Sequence, residues 1–115
     1  MLRGELRFVD FEPVRGSEAN RRRPAVIVSN DGANDAASRV GRGVITVLPV
    51  TSNVRGVLPF QVLIPRGTAG LDRASKVQAE QVRSVAVERV GGALGQLPAA
   101  LMFDIDEALR LHLAL

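Results

Sequence analysis

The residues with the most chemical potential lie in one ten-residue stretch, Arg15-Gly16-Ser17-Glu18-Ala19-Asn20-Arg21-Arg22-Arg23-Pro24. It gathers four arginines, a carboxylate, a hydroxyl and a side-chain amide. An exposed loop with solvated charges can have the same composition, so a second polar cluster carries weight. Thr51-Ser52-Asn53 follows directly on the apolar run Val44 to Val50. The end of a buried strand is where a rigid scaffold presents functional groups, although a polar strand end entering a turn looks alike. Together the clusters suit cleavage of RNA by its own 2′-hydroxyl, which requires neither an enzymic nucleophile nor a metal. That reaction needs the phosphate held in line and the developing charge neutralised. An arginine can supply the charge, and such contacts are typically worth about 3–4 kcal/mol in a dry site.

Other chemistries lack their residues. Triads and two-histidine schemes need placed imidazoles, and the one histidine, His112, reads as a helix-face residue close to the end of the chain. There is no cysteine, which removes disulfides, thiolate catalysis and zinc–thiolate sites. Asp104, Asp106 and Glu107 cluster, but Asp104 and Asp106 would point to different sides of a helix, and a solvated face is expected. Asp10 and Glu12 flank a strand end and could in principle pair, but a paired site is not expected there. Gly41-Arg42-Gly43 is too short for a phosphate-binding loop. No metal and no cofactor are expected.

The elements that must position these groups fit one domain, residues 1–115. A chain of this length buries roughly two-thirds of its unfolded surface. Net charge is +3, and fourteen of the fifteen basic residues are arginine. That leans toward nucleic acid, but a compositional bias that also supplies Ala, Gly and Val accounts for it, so position must carry the argument. No apolar run approaches the ~20 residues that span a bilayer, and the charged start Met1-Leu2-Arg3-Gly4-Glu5 leads into no signal-peptide core. A soluble cytoplasmic chain is expected.

Leu6 to Phe11 reads as a strand, Phe11 to Asn20 as a loop broken by Pro13 and Gly16, and Ala25 to Val28 as a buried strand opened by Pro24. Asn30-Asp31-Gly32 is a turn before two helical turns over Ala33 to Val40. Val44 to Val50 is a strong strand, and the alternation of Phe60, Val62 and Ile64 with Gln61 and Leu63 gives another. Pro65 to Asp72 is loop. Lys76 to Val90 accommodates two short strands, which Gly91-Gly92 should break. After Pro98, placed for a first helical turn, Leu101, Ile105, Ala108, Leu109 and His112 repeat at helical spacing, joined by Met102 and Leu113. This predicts an amphipathic helix of about four turns. The sum is a small, mainly β (α+β) fold: a bent antiparallel sheet or barrel with a short inserted helix and a C-terminal helix packed against it.

These segments resemble the MazF/PemK/Kid family, the toxin halves of bacterial toxin–antitoxin pairs. The resemblance runs through nearly the whole chain. It is carried by Arg3-Gly4-Glu5, Val9-Asp10-Phe11-Glu12-Pro13, Gly16-Ser17-Glu18-Ala19 and Arg23-Pro24-Ala25-Val26-Ile27-Val28-Ser29-Asn30. It continues in Val47-Leu48-Pro49-Val50-Thr51-Ser52, Pro59-Phe60-Gln61-Val62 and Ala79-Glu80-Gln81-Val82-Arg83-Ser84. It implies an SH3-like barrel and a homodimer with two sites near the interface. The implied activity is metal-independent, sequence-specific cleavage of single-stranded RNA that leaves a 2′,3′-cyclic phosphate and a 5′-hydroxyl. A cognate MazE-like antitoxin would block the sites, and DNA would be met only through that antitoxin.

The family's essential arginine corresponds to Arg23 and its essential threonine to Thr51. Its Gly-Ser-Glu loop falls on Gly16, Ser17 and Glu18, and its groove-lining stretch on Glu80, Gln81 and Arg83. An arginine is a poor base, so Arg23 is assigned to the phosphorane, Thr51 to a phosphate oxygen, and Glu18 to orienting or deprotonating the 2′-hydroxyl. Asn20, Arg21, Arg22, Ser52 and Asn53 complete the expected RNA surface. The chain has no Tyr and no Trp, so base stacking must rest on phenylalanine or on arginine planes. Two alternatives remain: a CcdB-like protein of the same fold that acts on a topoisomerase by contact alone, and an RNA-binding module that does not cut.

Overall fold

The computed structural model describes residues 1–11 and 22–115. Among these residues seven strands and two α-helices follow one another: β1 (Glu5–Asp10), β2 (Arg22–Ile27), α1 (Asp31–Val40), β3 (Val44–Thr51), β4 (Gln61–Ile64), β5 (Ser75–Gln78), β6 (Arg83–Ala86), β7 (Val90–Gln96) and α2 (Ala99–Leu113). Every pairing is antiparallel, and the sheet runs β4-β5-β3-β2-β1-β7 with β6 also on β3.

β3 organises the sheet. β2 lies along one edge, pairing Ala25 with Pro49 and Ile27 with Val47. The other edge takes β6 opposite Val44 to Val47 and β5 opposite Val50 and Thr51. Between the partners Val77 and Arg83 the outer strand is longer than β3, and the surplus residues coil into a 3-10 turn, Ala79–Gln81. That turn is a bulge in one continued strand and not a new element of the sheet.

Side chains alternate across a strand, and here both faces are buried. Leu6, Val26, Leu48, Val50, Val62 and Val77 join Met102, Ile105 and Ala108 of α2 in the larger core. Val9, Ala25, Ile27, Ile45 and Val47 join Ala37 of α1 in the smaller one. α1 begins two residues before the expected Ala33, because Asn30 accepts the Ala33 N–H at 2.8 Å and caps the helix. Its Asn34 is fully buried and donates to the Ser29 carbonyl, while the Ser29 hydroxyl donates to Asn34 Oδ1.

Arg3 ties three elements together. Its backbone N–H donates to Asp31 at 2.7 Å, its Nε to the Val28 carbonyl at 2.8 Å, and its Nη2 to Asp106 on α2 at 2.6 Å. Asp106, which the sequence places on a solvated face, is instead the acceptor that ties α2 to the N-terminal segment before β1.

Gly91-Gly92 does not break the chain: β7 runs through both and pairs with β1 across register shifts. The reason is close approach. A Cβ on Gly91 would collide with the Arg22 guanidinium, so glycine there makes room for a neighbouring side chain. β4 and β7 share no ladder, and the sheet is barrel-like without being closed. The loop 65–74 spans that gap. A Cβ on Gly95 would stand 2.6 Å from the Ala69 carbonyl carbon, and one on Gly70, at φ +82°, would run into the Leu94 carbonyl oxygen. Leu71 of the same loop is buried in the larger core.

Replacing Gly70 with alanine therefore combines a left-handed backbone with a backbone collision. We expect a loss of about 2–3 kcal/mol of stability, measured by urea unfolding with an unchanged m-value.

Candidate active site

β2 and β3 bring the first two candidate residues together. Continued outward from Ala25 opposite Pro49, the β2–β3 register aligns Arg23 with Thr51. Paired residues in an antiparallel sheet project from the same face, here the face that α1 covers further along the strands. Where β2 and β3 run out at this end, a cleft of about 510 Å³ opens at the margin of the larger core, lined by Arg23, Pro24, Thr51, Ser52, Asp72, Arg73 and Ser75 together with Val50 and Leu71 of that core. Pro24 suits this place: it has no N–H to leave unpaired where the ladder gives way to the cleft.

Thr51 is partly buried and Ser52 exposed. The Thr51 Oγ1 accepts the Asn53 N–H at 3.2 Å, and Asn53 Oδ1 accepts the Arg55 N–H at 3.2 Å. The Asn53 side-chain oxygen is thus spent on the turn that fixes Thr51, while the Asn53 side-chain NH2 and the Thr51 hydroxyl proton are left to donate. On the other side of Thr51 in the sheet stands Lys76, the chain's one lysine. It is buried and donates to the Gly56 carbonyl at 2.9 Å, which holds the segment after Thr51 against the sheet.

The remaining expected residues lie elsewhere. Arg22 points away from Arg23, as strand alternation requires. Its guanidinium lies 5.6 Å over the Phe8 ring and abuts Gly91. Arg83 on β6 lies 5.2 Å over the Phe11 ring. Glu80, in the 3-10 turn, accepts from Gln61 Nε2 at 2.7 Å through Oε2, and its buried Oε1 has no partner among the described residues. Gln81 beside it is exposed. None of these four lines the Arg23–Thr51 cleft. Ser17, Glu18, Asn20 and Arg21 lie outside the described residues. His112 lies at a tilt to Phe60, ring centroids 6.1 Å apart, and does not line the cleft.

Asp72, Arg73 and Ser75 also line the cleft, and nothing in the sequence marks them for it. They follow a glycine-containing loop and resemble ordinary surface residues in the sequence; only the docking of that loop on β7 turns them toward Thr51.

The sequence profile of the PemK-like, MazF-like toxins of type II toxin–antitoxin systems matches residues 2–113. This chain belongs to that family. The Mycobacterium tuberculosis protein named endoribonuclease MazF9 is 58% identical over 115 residues, covering 100% of this chain and 98% of the relative. The crystal structure of MazF from Deinococcus radiodurans is similar at TM-score 0.76 and 28% identity, covering 100% of this chain and 97% of that one. A MazE–MazF structure from the same organism is similar at TM-score 0.74 and 26% identity, covering 100% of this chain and 96% of that one. The family's fold thus accounts for the sheet and both helices, and no helix among the described residues is long and apolar enough to cross a membrane.

The two neighbouring arginines should separate cleanly. Arg22→Ala removes a cation–π contact and should lower stability by about 1 kcal/mol. Arg23→Ala removes an exposed side chain and should change it by less than about 0.5 kcal/mol. Thermal denaturation of both variants checks this.

Proposed function

We propose that this chain is a metal-independent endoribonuclease toxin, held in check by an antitoxin of the MazE kind. The observation that carries the proposal is the alignment of Arg23 with Thr51 at the mouth of one cleft. Family membership, and relatives named endoribonucleases, support the same reaction.

In this mechanism the 2′-hydroxyl of the RNA loses its proton and attacks the adjacent phosphorus, and the 5′-oxygen of the next nucleotide leaves and takes up a proton from solvent. The products are a 2′,3′-cyclic phosphate and a 5′-hydroxyl. The Arg23 guanidinium presents two parallel donors to the phosphate and neutralises the charge that builds on the phosphorane. The Thr51 hydroxyl donates to a second phosphate oxygen, its other bond to Asn53 fixing its orientation. Glu18 orients or deprotonates the 2′-hydroxyl. One histidine, no cysteine and, among the described residues, no gathering of carboxylates fit for a metal favour a mechanism in which the substrate supplies its own nucleophile.

The RNA on either side of the scissile bond would meet Ser17, Asn20, Arg21, Arg22, Ser52, Asn53, Glu80, Gln81 and Arg83, with Arg22 and Arg83 contributing guanidinium planes already paired with phenylalanine rings. The working unit is a single domain that pairs as a homodimer and acts in the cytoplasm.

Incubation of the protein with a long unstructured RNA in EDTA should give discrete fragments with 5′-hydroxyl ends. Arg23→Ala and Thr51→Ala should each lower the cleavage rate by about 100-fold or more. Intact RNA, or cutting that EDTA abolishes, would contradict the proposal.

A further inference from the structure

The cleft holds a second arginine that the proposed chemistry does not use. Arg73 lines the cleft together with Arg23 and precedes β5 by two residues. Its side chain is exposed, and it has no hydrogen bond or ion pair among the described residues. Arg3, Arg7, Arg39 and Arg110 each hold a carboxylate. A cation left without such a partner, beside a site for a polyanion, is available to that polyanion.

Its backbone is held in place. The buried Ser75 hydroxyl donates to the Arg73 carbonyl at 3.1 Å. Leu71 anchors the preceding loop in the core, and Gly70 and Gly95 let that loop sit directly on β7. The guanidinium therefore projects from a rigid base. The cleft, at about 510 Å³, is far larger than one phosphate group and has room for a nucleotide. Asp72 lines it too, so the two arginines outweigh the one carboxylate and the cleft favours an anion.

We propose that Arg73 binds an RNA phosphate next to the scissile one, so that the strand is gripped by Arg23 and Arg73 with Thr51 between them. This rests on the ribonuclease reading. Arg73 binds substrate and transition state alike, so its loss appears in KM and leaves kcat nearly untouched. Arg23 acts on the phosphorane, and its loss appears in kcat.

The test uses the full-length protein and a single-stranded RNA oligonucleotide spanning a cut site mapped on long RNA. A copy with a 2′-deoxy nucleotide at the cut serves for binding. Arg73→Ala should raise KM by about 10- to 100-fold and change kcat by less than about threefold. The slope of log Kd against log salt should become shallower by about 0.7, the share of one phosphate contact on a single strand. Arg73→Lys should keep the slope and recover part of the KM. Arg110→Ala, which removes one charge from α2, is the control and should match the wild type. Arg73→Gln replaces the alanine variant if that one melts at a lower temperature. An unchanged KM, or a raised KM with an unchanged salt slope, would overturn the assignment. If the wild type leaves RNA intact, the ribonuclease reading falls and this one falls with it. If the wild type cuts and Arg73→Ala cuts equally well at low substrate, only this one falls.

Discussion

The site depends on the register of β2 against β3. Ala25 opposite Pro49 sets Arg23 beside Thr51, and a slip of one residue would send Arg23 to the other face of the sheet. The two cores oppose that slip. Ala25 and Ile27 are buried on the α1 face, and Val26 is buried on the other. A shifted register would exchange those sets and carry Arg22 and Arg23 with them. Burial of a full aliphatic side chain is worth about 1.5–3 kcal/mol, so several such side chains fix the register firmly. The candidate pair is aligned by hydrophobic residues buried in the two cores.

The polar network closes what the cores leave open. Arg3 binds α1, the end of β2 and α2 through three separate donors. Glycines at 70, 91 and 95 let backbone and side chains approach where any Cβ would collide. These features explain motifs that look functional in the sequence and are architectural in the fold. Arg3-Gly4-Glu5 is one, since Gly4 also bonds Ile27 and Leu97 through its backbone. Ser29-Asn30 is another, spent on capping and anchoring α1.

Much of this was legible in the sequence. Alternation in Val44 to Val50 and in Phe60 to Ile64 marked β3 and β4, and helical spacing after Pro98 marked α2. Arg23 and Thr51 stood out by type and by position at the ends of buried runs. Other features were not legible, for definite reasons. Gly91-Gly92 reads as a break because nothing local reveals that Arg22 will lie across it. The 3-10 bulge at Ala79–Gln81 exists because β5 and β6 share one edge of β3, a long-range fact. Asp106 reads as solvated until Arg3 arrives from the opposite end of the chain. Arg73 is one arginine among fourteen, and its relation to Thr51 is created by a loop docking on a strand.

The central claim is that Arg23 and Thr51 act as one unit on one phosphate. A double-mutant cycle on RNA cleavage in EDTA tests it most directly. Groups that stabilise the same transition state are strongly non-additive. The double variant Arg23→Ala/Thr51→Ala should therefore cut RNA little more slowly than the slower single variant. Losses that multiply in full would mean that the two residues act independently, and the account built on their alignment would be wrong.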